Sequence, residues 1–293
     1  MMRIQIIGGG AVGLLLASYF AEKNDYVTVV CHSHEQVEQL SKQLIRTDIN
    51  GVNQVFTIHA TMHINNEFDV TFVTVKSGQL QSILSRLPIN QPIVFCQNGL
   101  AHFEDLNINE HIKAVFCAIQ FGATKLSNTH VQHKGKGVMK FAAPVEYEEI
   151  TKVLKRQSQD FPMEFSLNPE LILFEKALLN TFINPLTAIL QVKNGELLSN
   201  TYAFQILKEI YAEMLNAFGD ECVSFEQVKE LCEKTALNTS SMLADHMNGR
   251  QSEAPAIVGP IIQRAEKRGA KVPVVKSLYM QLLAIEEARG YVK

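Results

Sequence analysis

The chain has 293 residues, of which 46% are hydrophobic and 19% are charged, and its formal net charge at pH 7 is −3. This composition is typical of a globular protein with room for two domains. The small negative charge gives no electrostatic reason to expect nucleic acid or an anionic membrane as a partner.

Signals for export, a membrane span or a metal centre are missing from the sequence. The apolar run that follows Met1 is too short for a signal peptide, and the longest mostly apolar stretch, 11–21, falls short of a bilayer span. The five cysteines show no zinc-type spacing and are odd in number, so we interpret them as reduced thiols and expect no metal. We therefore expect a cytoplasmic protein.

The first half of the chain alternates apolar strands with helical patterns. The predicted strands are 3–8, 26–31, 69–75 and 92–99, and the helices between them are 11–23, 34–44 and 78–87. This alternation predicts βαβ units and a mostly parallel sheet that is covered on both faces. Further strands at 114–123, 130–135 and 137–144 are expected to extend the sheet and to end it in an antiparallel edge.

Helical periodicity dominates from Pro169 onward, at 169–193, 201–218, 224–237 and 273–289. The predicted fold class is therefore α/β: an N-terminal Rossmann-type doubly wound sheet plus a C-terminal all-helical domain. We place the boundary near 167, so that residues 1–167 form the Rossmann-type domain and residues 168–293 form the helical domain.

A glycine-rich loop opens the first helix. Gly8, Gly10 and Gly13 form G-x-G-x-x-G directly after an apolar strand, and Ala11 and Val12 complete the loop. Gly8 allows the tight turn, Gly10 lets the backbone approach a pyrophosphate, and Gly13 allows close helix–strand packing. The following helix offers N–H groups to the phosphates. The loop thus predicts a dinucleotide site; the alternative is a plain tight turn.

The end of the second strand bears on which dinucleotide binds. NAD sites usually place an acid there, on the ribose 2′-hydroxyl, but this strand ends in Cys31, His32, Ser33 and His34. The absence of a carboxylate favours NADP, and both His32 and Ser33 can donate hydrogen bonds to a 2′-phosphate. The alternative is that the histidines are exposed loop residues.

Two further polar positions follow buried strands. Lys76 comes just after the third strand, and Asn98 and Gly99 come just after the fourth. Ligands of open α/β sheets bind beyond the carboxyl ends of the strands, so we predict that Lys76 and Asn98 contact the cofactor. Asn-Gly is also a common turn pair, which is the alternative for the second position.

An apolar helix in the second half carries a polar stripe. Lys176, Asn180 and Asn184 are spaced four apart, which places them on one face of a helix that is otherwise apolar. Buried unpaired, each amide would cost about 1–3 kcal/mol. The stripe therefore predicts a polar ligand site; alternatively Lys176 reaches the surface and the asparagines cap breaks in the helix. Pro185 removes one helix N–H nearby.

Several motifs occur together in one order: "GGGAVG", "VTVK", "QNG", "KALLNTFINPLTA" and "NTSSMLAD" followed by Glu253. On these motifs the chain resembles the ketopantoate reductase family. The resemblance implies reduction of the ketone of 2-dehydropantoate by NADPH, which gives (R)-pantoate on the way to pantothenate and coenzyme A.

The resemblance also implies roles for individual residues. Lys176 would be the general acid, and Glu253 would bind the substrate hydroxyl. The cofactor would contact the glycine loop, His32 and Lys76, with Asn98 beside both nicotinamide and substrate. Besides Asn98, the residues implied to bind the substrate are Asn180, Asn184, Asn238 and Ser241.

The sequence departs from the family pattern in two places. His32 stands where the family often has arginine, and "EAPAIVG" after position 252 places Pro255 and Val258 where the family usually has polar residues. Other readings are a reductase of a different α-keto or β-hydroxy acid, or a dinucleotide-binding sensor without catalysis. Residues 246–253 are predicted to form a mobile loop, and we expect a monomer or a homodimer.

Overall fold

A computed structural model describes residues 1–106 and 112–291 of the chain. It contains two compact units: one comprises Met1–Gln97 and His102–Ile172, and the other comprises Asn98–Ala101 and Leu173–Lys293. The division falls inside the helix that starts at Pro169, slightly after the boundary predicted near 167. The short segment 98–101 is grouped with the second unit, which a boundary drawn along the sequence does not anticipate.

The first unit is rich in strands. In chain order they are β1 (Arg3–Ile7), β2 (Tyr26–Val30), β3 (Leu44–Thr47), β4 (Asn53–Phe56), β5 (His59–Thr61), β6 (Val70–Val73), β7 (Ile93–Phe95), β8 (Ala114–Ile119), β9 (Gly122–Lys125), β10 (His130–Gly135), β11 (Met139–Ala142) and β12 (Met163–Ser166). The helices found before residue 169 of the described chain are α1 (Ala11–Glu22), α2 (His34–Leu40), α3 (Ser77–Leu84), α4 (Ala101–Leu106) and α5 (Glu148–Leu154).

The main sheet has eight strands in the order β12-β11-β8-β7-β6-β1-β2-β5. Every neighbouring pair is parallel except β8 and β11. The central strands β6 and β7 are buried along their whole length, as expected for a sheet that is covered on both faces. The predicted mostly parallel sheet is confirmed.

The predicted arrangement of the later strands is wrong in two respects. The strand at 130–135 does not extend the main sheet; it belongs to a second sheet of four strands in the order β4-β3-β10-β9. Its burial alternates, as in a strand with only one covered face. The antiparallel pair β8 and β11 also lies inside the main sheet, because α5 carries the chain back to an edge strand, β12, that runs parallel to β11.

The predicted helix at 34–44 is also too long, because α2 ends at Leu40 and β3 begins at Leu44. Helix α1 is apolar on nearly all sides, and residues 13–20 are buried throughout. It packs against β1 and β2 of the main sheet and against strands of the small sheet. A helix enclosed in this way needs no polar face.

All regular secondary structure in the described residues of the second unit is helical, in agreement with the prediction. Its helices are α6 (Pro169–Leu190), α7 (Glu196–Ser199), α8 (Thr201–Phe218), a 3₁₀ turn (Gly219–Glu221), α9 (Phe225–Lys234), α10 (Ser241–Met247), α11 (Ala254–Lys267) and α12 (Pro273–Ala288). Within residues 1–106 and 112–291, none of the helices has both the length and the apolar character that a membrane crossing needs.

Candidate active site

The glycine loop connects β1 to α1. Gly8 has φ +118°, in the left-handed region that favours glycine. A Cβ on Gly13 would lie 1.9 Å from the Gly8 carbonyl oxygen, so only glycine fits there. A Cβ on Gly10, in contrast, would meet no atom within 4 Å. The loop is therefore tightly packed behind Gly8 and Gly13 and open above Gly10.

The open side of the loop fits the phosphates of a dinucleotide. Gly10 is the N-cap of α1 and provides no side-chain cap, so the first N–H groups of the helix, at Ala11, Val12 and Gly13, are left for another acceptor. A phosphate placed there would receive these N–H groups and the positive end of the helix dipole. The space above Gly10 is where such a group would sit.

Two polar side chains fix the loops around the glycine turn. The Thr74 hydroxyl donates to the Gly8 carbonyl at 2.9 Å. The Gln97 amide donates to the carbonyls of Val73 at 3.0 Å and Val75 at 2.9 Å. The ends of β1, β6 and β7 are thereby held together. Sequence reasoning missed Thr74, although a polar residue directly after an apolar strand is the signal that could have revealed it.

The predicted cofactor residues outside the loop lie at strand ends of the first unit. Lys76 is exposed and is the N-cap residue of α3. His32 is exposed just after β2, and the Ser33 hydroxyl accepts from the Gln36 N–H at 3.3 Å and so caps α2. The first acid after the strand, Glu35, is exposed on α2, where it accepts from the Gln39 side chain at 3.1 Å.

A lysine that the sequence analysis did not single out contacts the glycine loop. Lys125, at the end of β9, donates from Nζ to the Gly9 carbonyl at 3.1 Å, and the Gln36 amide donates to the same oxygen at 2.8 Å. Burial lowers the pKa of Lys125 and raises the pKa of the neighbouring Cys31 thiol to about 11. No sequence signal points to Lys125, because the small sheet brings it to a loop more than a hundred residues earlier.

In the second unit, the polar stripe of α6 extends toward the start of α10. Asn184 is 6% exposed, and its amide donates to the Ser241 hydroxyl at 3.2 Å. One turn further on, the Thr187 hydroxyl donates to the Ser240 hydroxyl at 2.7 Å, and Ser240 caps α10. The structure therefore brings together Asn184 and Ser241, two residues predicted separately for the substrate site.

The exposure of the stripe increases toward the start of α6. Lys176 and Asn180 are half-buried, whereas Asn184 is buried. Among the described residues the Asn180 amide finds no hydrogen-bond partner, so its donor and acceptor remain available to a ligand. The three residues share one face, and the buried member, Asn184, lies farthest along the helix.

Asn98 and Glu253 form a direct contact within the second unit. The Asn98 amide donates from Nδ2 to Oε2 of Glu253 at 2.9 Å. Both residues were predicted for the site from different motifs, 155 positions apart in sequence. The amide N–H fixes the orientation of the carboxylate, a group that accepts hydrogen bonds.

The backbone beside Asn98 is docked on the first turn of α11. Gly99 has φ +86°, and a Cβ there would lie 2.0 Å from the Ala256 carbonyl oxygen. The Leu100 N–H donates to that oxygen at 3.1 Å. The carbonyl accepts this bond because its helical donor would come from position 260, where Pro260 has no N–H.

A buried pair supports the segment that carries Glu253. Glu286 is fully buried, and its Oε1 accepts from the Ser252 N–H at 2.9 Å and from His246 Nε2 at 3.0 Å. Of the predicted loop 246–253, the first two residues complete α10, and Ser252 is buried. Sequence reasoning missed Glu286, because a single acid in an amphipathic helix gives no sign of being buried.

Three further positions from the sequence analysis, Asn238, Pro255 and Val258, form no side-chain hydrogen bond with the described residues that would link them to the site. Asn238 is exposed; its backbone carbonyl accepts from the Asn194 N–H at 3.2 Å, and its side chain forms no hydrogen bond with the described residues. Of the residues after Glu253 that depart from the family pattern, Pro255 is exposed in the first turn of α11 and Val258 is buried within that helix.

Comparison with known families gives two matches along the chain. Residues 4–146 match the model described as "Ketopantoate reductase PanE/ApbA", and residues 168–286 match "Ketopantoate reductase PanE/ApbA C terminal". A curated 2-dehydropantoate 2-reductase of Bacillus subtilis (strain 168) is 36% identical over 292 residues, which are 97% of this chain and 98% of the relative.

Solved structures show the same fold. The crystal structure named "Probable 2-dehydropantoate 2-reductase panE" from Bacillus subtilis has a TM-score of 0.85 at 34% identity, covering 97% of this chain and all of the other. A dimeric ketopantoate reductase from Staphylococcus aureus has a TM-score of 0.74 at 19% identity, covering 98% of this chain and 99% of the other, and its likeness concerns the fold alone.

Proposed function

Because this chain belongs to the ketopantoate reductase family, we propose that it reduces the ketone of 2-dehydropantoate with NADPH to give (R)-pantoate. The reaction is an oxidoreduction that serves pantothenate and coenzyme A biosynthesis. We further propose that the protein works in the cytoplasm as a monomer or homodimer, and that residues 1–167 hold the cofactor while residues 168–293 supply substrate and proton-transfer groups.

The first unit binds the cofactor through the glycine loop. The N–H groups that follow Gly10 hold the pyrophosphate, and residues at the strand ends, including His32 and Lys76, contact other parts of the dinucleotide. The hydride for the keto carbon comes from NADPH when it is bound. The packing that fixes Gly8 and Gly13 keeps the loop in this shape before the cofactor arrives.

The second unit supplies the proton and positions the substrate. Hydride addition leaves negative charge on the keto oxygen, and the Lys176 ammonium donates a proton to it as the alcohol forms. Asn180 and Asn184 donate amide N–H groups to the substrate, and Ser241 binds its carboxylate end. Glu253, oriented by Asn98, accepts the substrate hydroxyl.

One observation carries the proposal: the polar stripe of α6 leads directly to Ser241. The apolar helix α6 carries a lysine and two amides on one face. The amide of Asn184 donates at 3.2 Å to the Ser241 hydroxyl at the start of α10. Together these side chains provide the groups that a keto acid needs. These are a proton donor for the developing alkoxide and neutral donors for a carboxylate.

The test is the Lys176→Ala variant. General acid catalysis contributes about 10²–10⁴-fold, so kcat with 2-dehydropantoate should fall by roughly that factor while NADPH affinity stays within about twofold of wild type. The matched control is Lys193→Ala, which removes an exposed lysine just after α6 and should keep wild-type turnover. Wild-type kcat in Lys176→Ala would refute the role of the lysine.

A further inference from the structure

A half-buried cation, Lys125, lies beside the glycine loop. Lys125 donates to the Gly9 carbonyl, and among the described residues it pairs with no carboxylate. A carbonyl is a weak partner for an ammonium group, which has three donors to satisfy. Burial of a charge is costly when it is not matched by an opposite charge. The position therefore suits a lysine that is neutralised by an anion from outside the chain.

The surroundings of Lys125 locate that anion. Its charge is close enough to Cys31, the residue after β2, to lower the pKa of that thiol against the larger rise that burial causes. Its Nζ also shares the Gly9 oxygen with the Gln36 amide of α2. The ammonium group thus lies between the glycine loop and the end of β2, where Rossmann-type sites read the ribose 2′-position.

The end of β2 lacks the group expected for a 2′-phosphate. His32 stands there in place of arginine and is exposed, and Ser33, whose oxygen caps α2, can offer a phosphate only a neutral hydroxyl donor. The pyrophosphate, in contrast, has the first N–H groups of α1 for its charge. Lys125, which pairs with no carboxylate of the described residues, therefore lies near the position where the cofactor carries its 2′-phosphate.

We propose that Lys125 binds the 2′-phosphate of NADPH and is the main residue that makes this chain prefer NADPH to NADH. The proposal rests on the proposed function, which supplies the cofactor. Lys125 belongs to β9 of the small sheet, whereas the position usually examined for this role follows β2 of the main sheet. A phosphate dianion would offset the burial of Lys125 and accept its two remaining N–H groups in charge-assisted bonds.

The experiment measures binding of NADPH and NADH by fluorescence titration, without any keto acid. Lys125→Met should weaken NADPH binding roughly 10- to 100-fold, the range of one lost hydrogen bond between charged groups, and should change NADH binding by less than about threefold. Adenosine 2′,5′-bisphosphate, titrated calorimetrically, should lose affinity in parallel with NADPH. Lys125→Arg keeps the charge and should retain most of the preference.

A second variant separates the charge from support of the loop. Lys125→Gln can still donate to the Gly9 carbonyl but has no charge, so it should resemble Lys125→Met in its loss of NADPH affinity. The matched control is Lys134→Met, an exposed lysine on the neighbouring strand β10, which should bind both cofactors as wild type does.

Two outcomes would overturn the proposal. Equal losses for NADPH and NADH would mean that Lys125 supports the loop or the pyrophosphate, and unchanged NADPH binding in Lys125→Met and Lys125→Gln would mean that it binds no phosphate. These outcomes can be told apart from a failure of the proposed function. A chain that reduces a different keto acid would not turn over 2-dehydropantoate, but its Lys125→Met variant would still lose affinity for NADPH and not for NADH.

Discussion

Gly10 shows how one residue can separate cofactor binding from folding. Its φ of −83° and ψ of −172° are accessible to any residue, and a Cβ there would touch nothing. Gly10→Val should therefore keep the circular dichroism spectrum and melting temperature close to wild type. It should abolish NADPH binding in a fluorescence titration, because the branched side chain fills the space of the pyrophosphate.

The matched control for Gly10→Val is Gly78→Ala. Gly78 lies in α3, where an added Cβ also meets nothing within 4 Å, so this variant should fold and bind NADPH normally. If Gly10→Val retained tight binding, the glycine loop would not hold a phosphate, and the assignment of the cofactor site would be wrong.

Individual residues differ in how well the sequence predicts them. Gly8 and Gly13 could be assigned from a motif, because each meets a local steric requirement that neighbouring letters reveal. The positions of Asn98, Asn184 and Ser241 came from patterns and from family resemblance, and the structure adds their partners. Lys125 and Glu286 could not be found, because their importance depends on burial and on neighbours far away in sequence.

At the scale of elements, α11 binds the segment 98–101 through a backbone carbonyl that has no hydrogen-bond donor within the helix. Pro260 leaves the Ala256 carbonyl without a helical donor, and the Leu100 N–H takes it at 3.1 Å. Gly99 makes this approach possible, since any Cβ would collide with that carbonyl. The pairing of α11 with segment 98–101 thus holds Asn98 against Glu253.

The variant Gly99→Ala tests whether the close approach of segment 98–101 to α11 positions Asn98. A non-glycine residue at φ +86° costs on the order of 1–3 kcal/mol, and the collision with Ala256 must also displace the segment. We expect a lower melting temperature and at least a ~10-fold loss in kcat/KM for 2-dehydropantoate, as a positioned group lost from a site costs about this much.

Gly259→Ala is the control on the same helix. Its Cβ would lie 3.6 Å from the Tyr279 hydroxyl, an ordinary contact, and alanine favours the helix. This variant should keep wild-type stability and turnover. Unimpaired kcat/KM in Gly99→Ala would show that the approach of 98–101 to α11 does not position Asn98.

Helices and strands were predictable from the sequence where a single hydrophobic pattern runs through the whole element. Strand β1 and the long helix α8 match their predicted ranges closely, because continuous burial or a regular 3.6-residue pattern is visible locally. Strands β6 and β7 lie inside their predicted ranges but are shorter. The short β3 was mistaken for the end of a helix, and the sheet membership of β10 was wrong. The two strands pair with each other, although about 85 residues separate His130 from its partner Ile45.

For the whole molecule, the chain's order of motifs predicted two functional regions, and the fold class is confirmed by the parallel sheet and the helical second unit. What a linear boundary could not predict is the grouping of 98–101 with the second unit. That grouping depends on one glycine and one proline 161 positions apart, at Gly99 and Pro260, and no local pattern connects them.

The central claim is that this chain reduces 2-dehydropantoate and reads its hydroxyl through Glu253. The direct measurement is kcat/KM with NADPH for 2-dehydropantoate and for 2-oxoisovalerate, which lacks the hydroxymethyl group, in wild type, Glu253→Ala and the exposed control Glu287→Ala. A site built for a hydroxyl discriminates strongly against the analogue that lacks it, because its own polar group is left unpaired.

We predict that wild type and Glu287→Ala prefer 2-dehydropantoate strongly. Glu253→Ala should lose at least ~10²-fold in kcat/KM for 2-dehydropantoate, about 2.7 kcal/mol, and much less for 2-oxoisovalerate, with NADPH affinity nearly unchanged. Equal impairment of the two substrates by Glu253→Ala, or a wild type that does not prefer 2-dehydropantoate, would contradict the account.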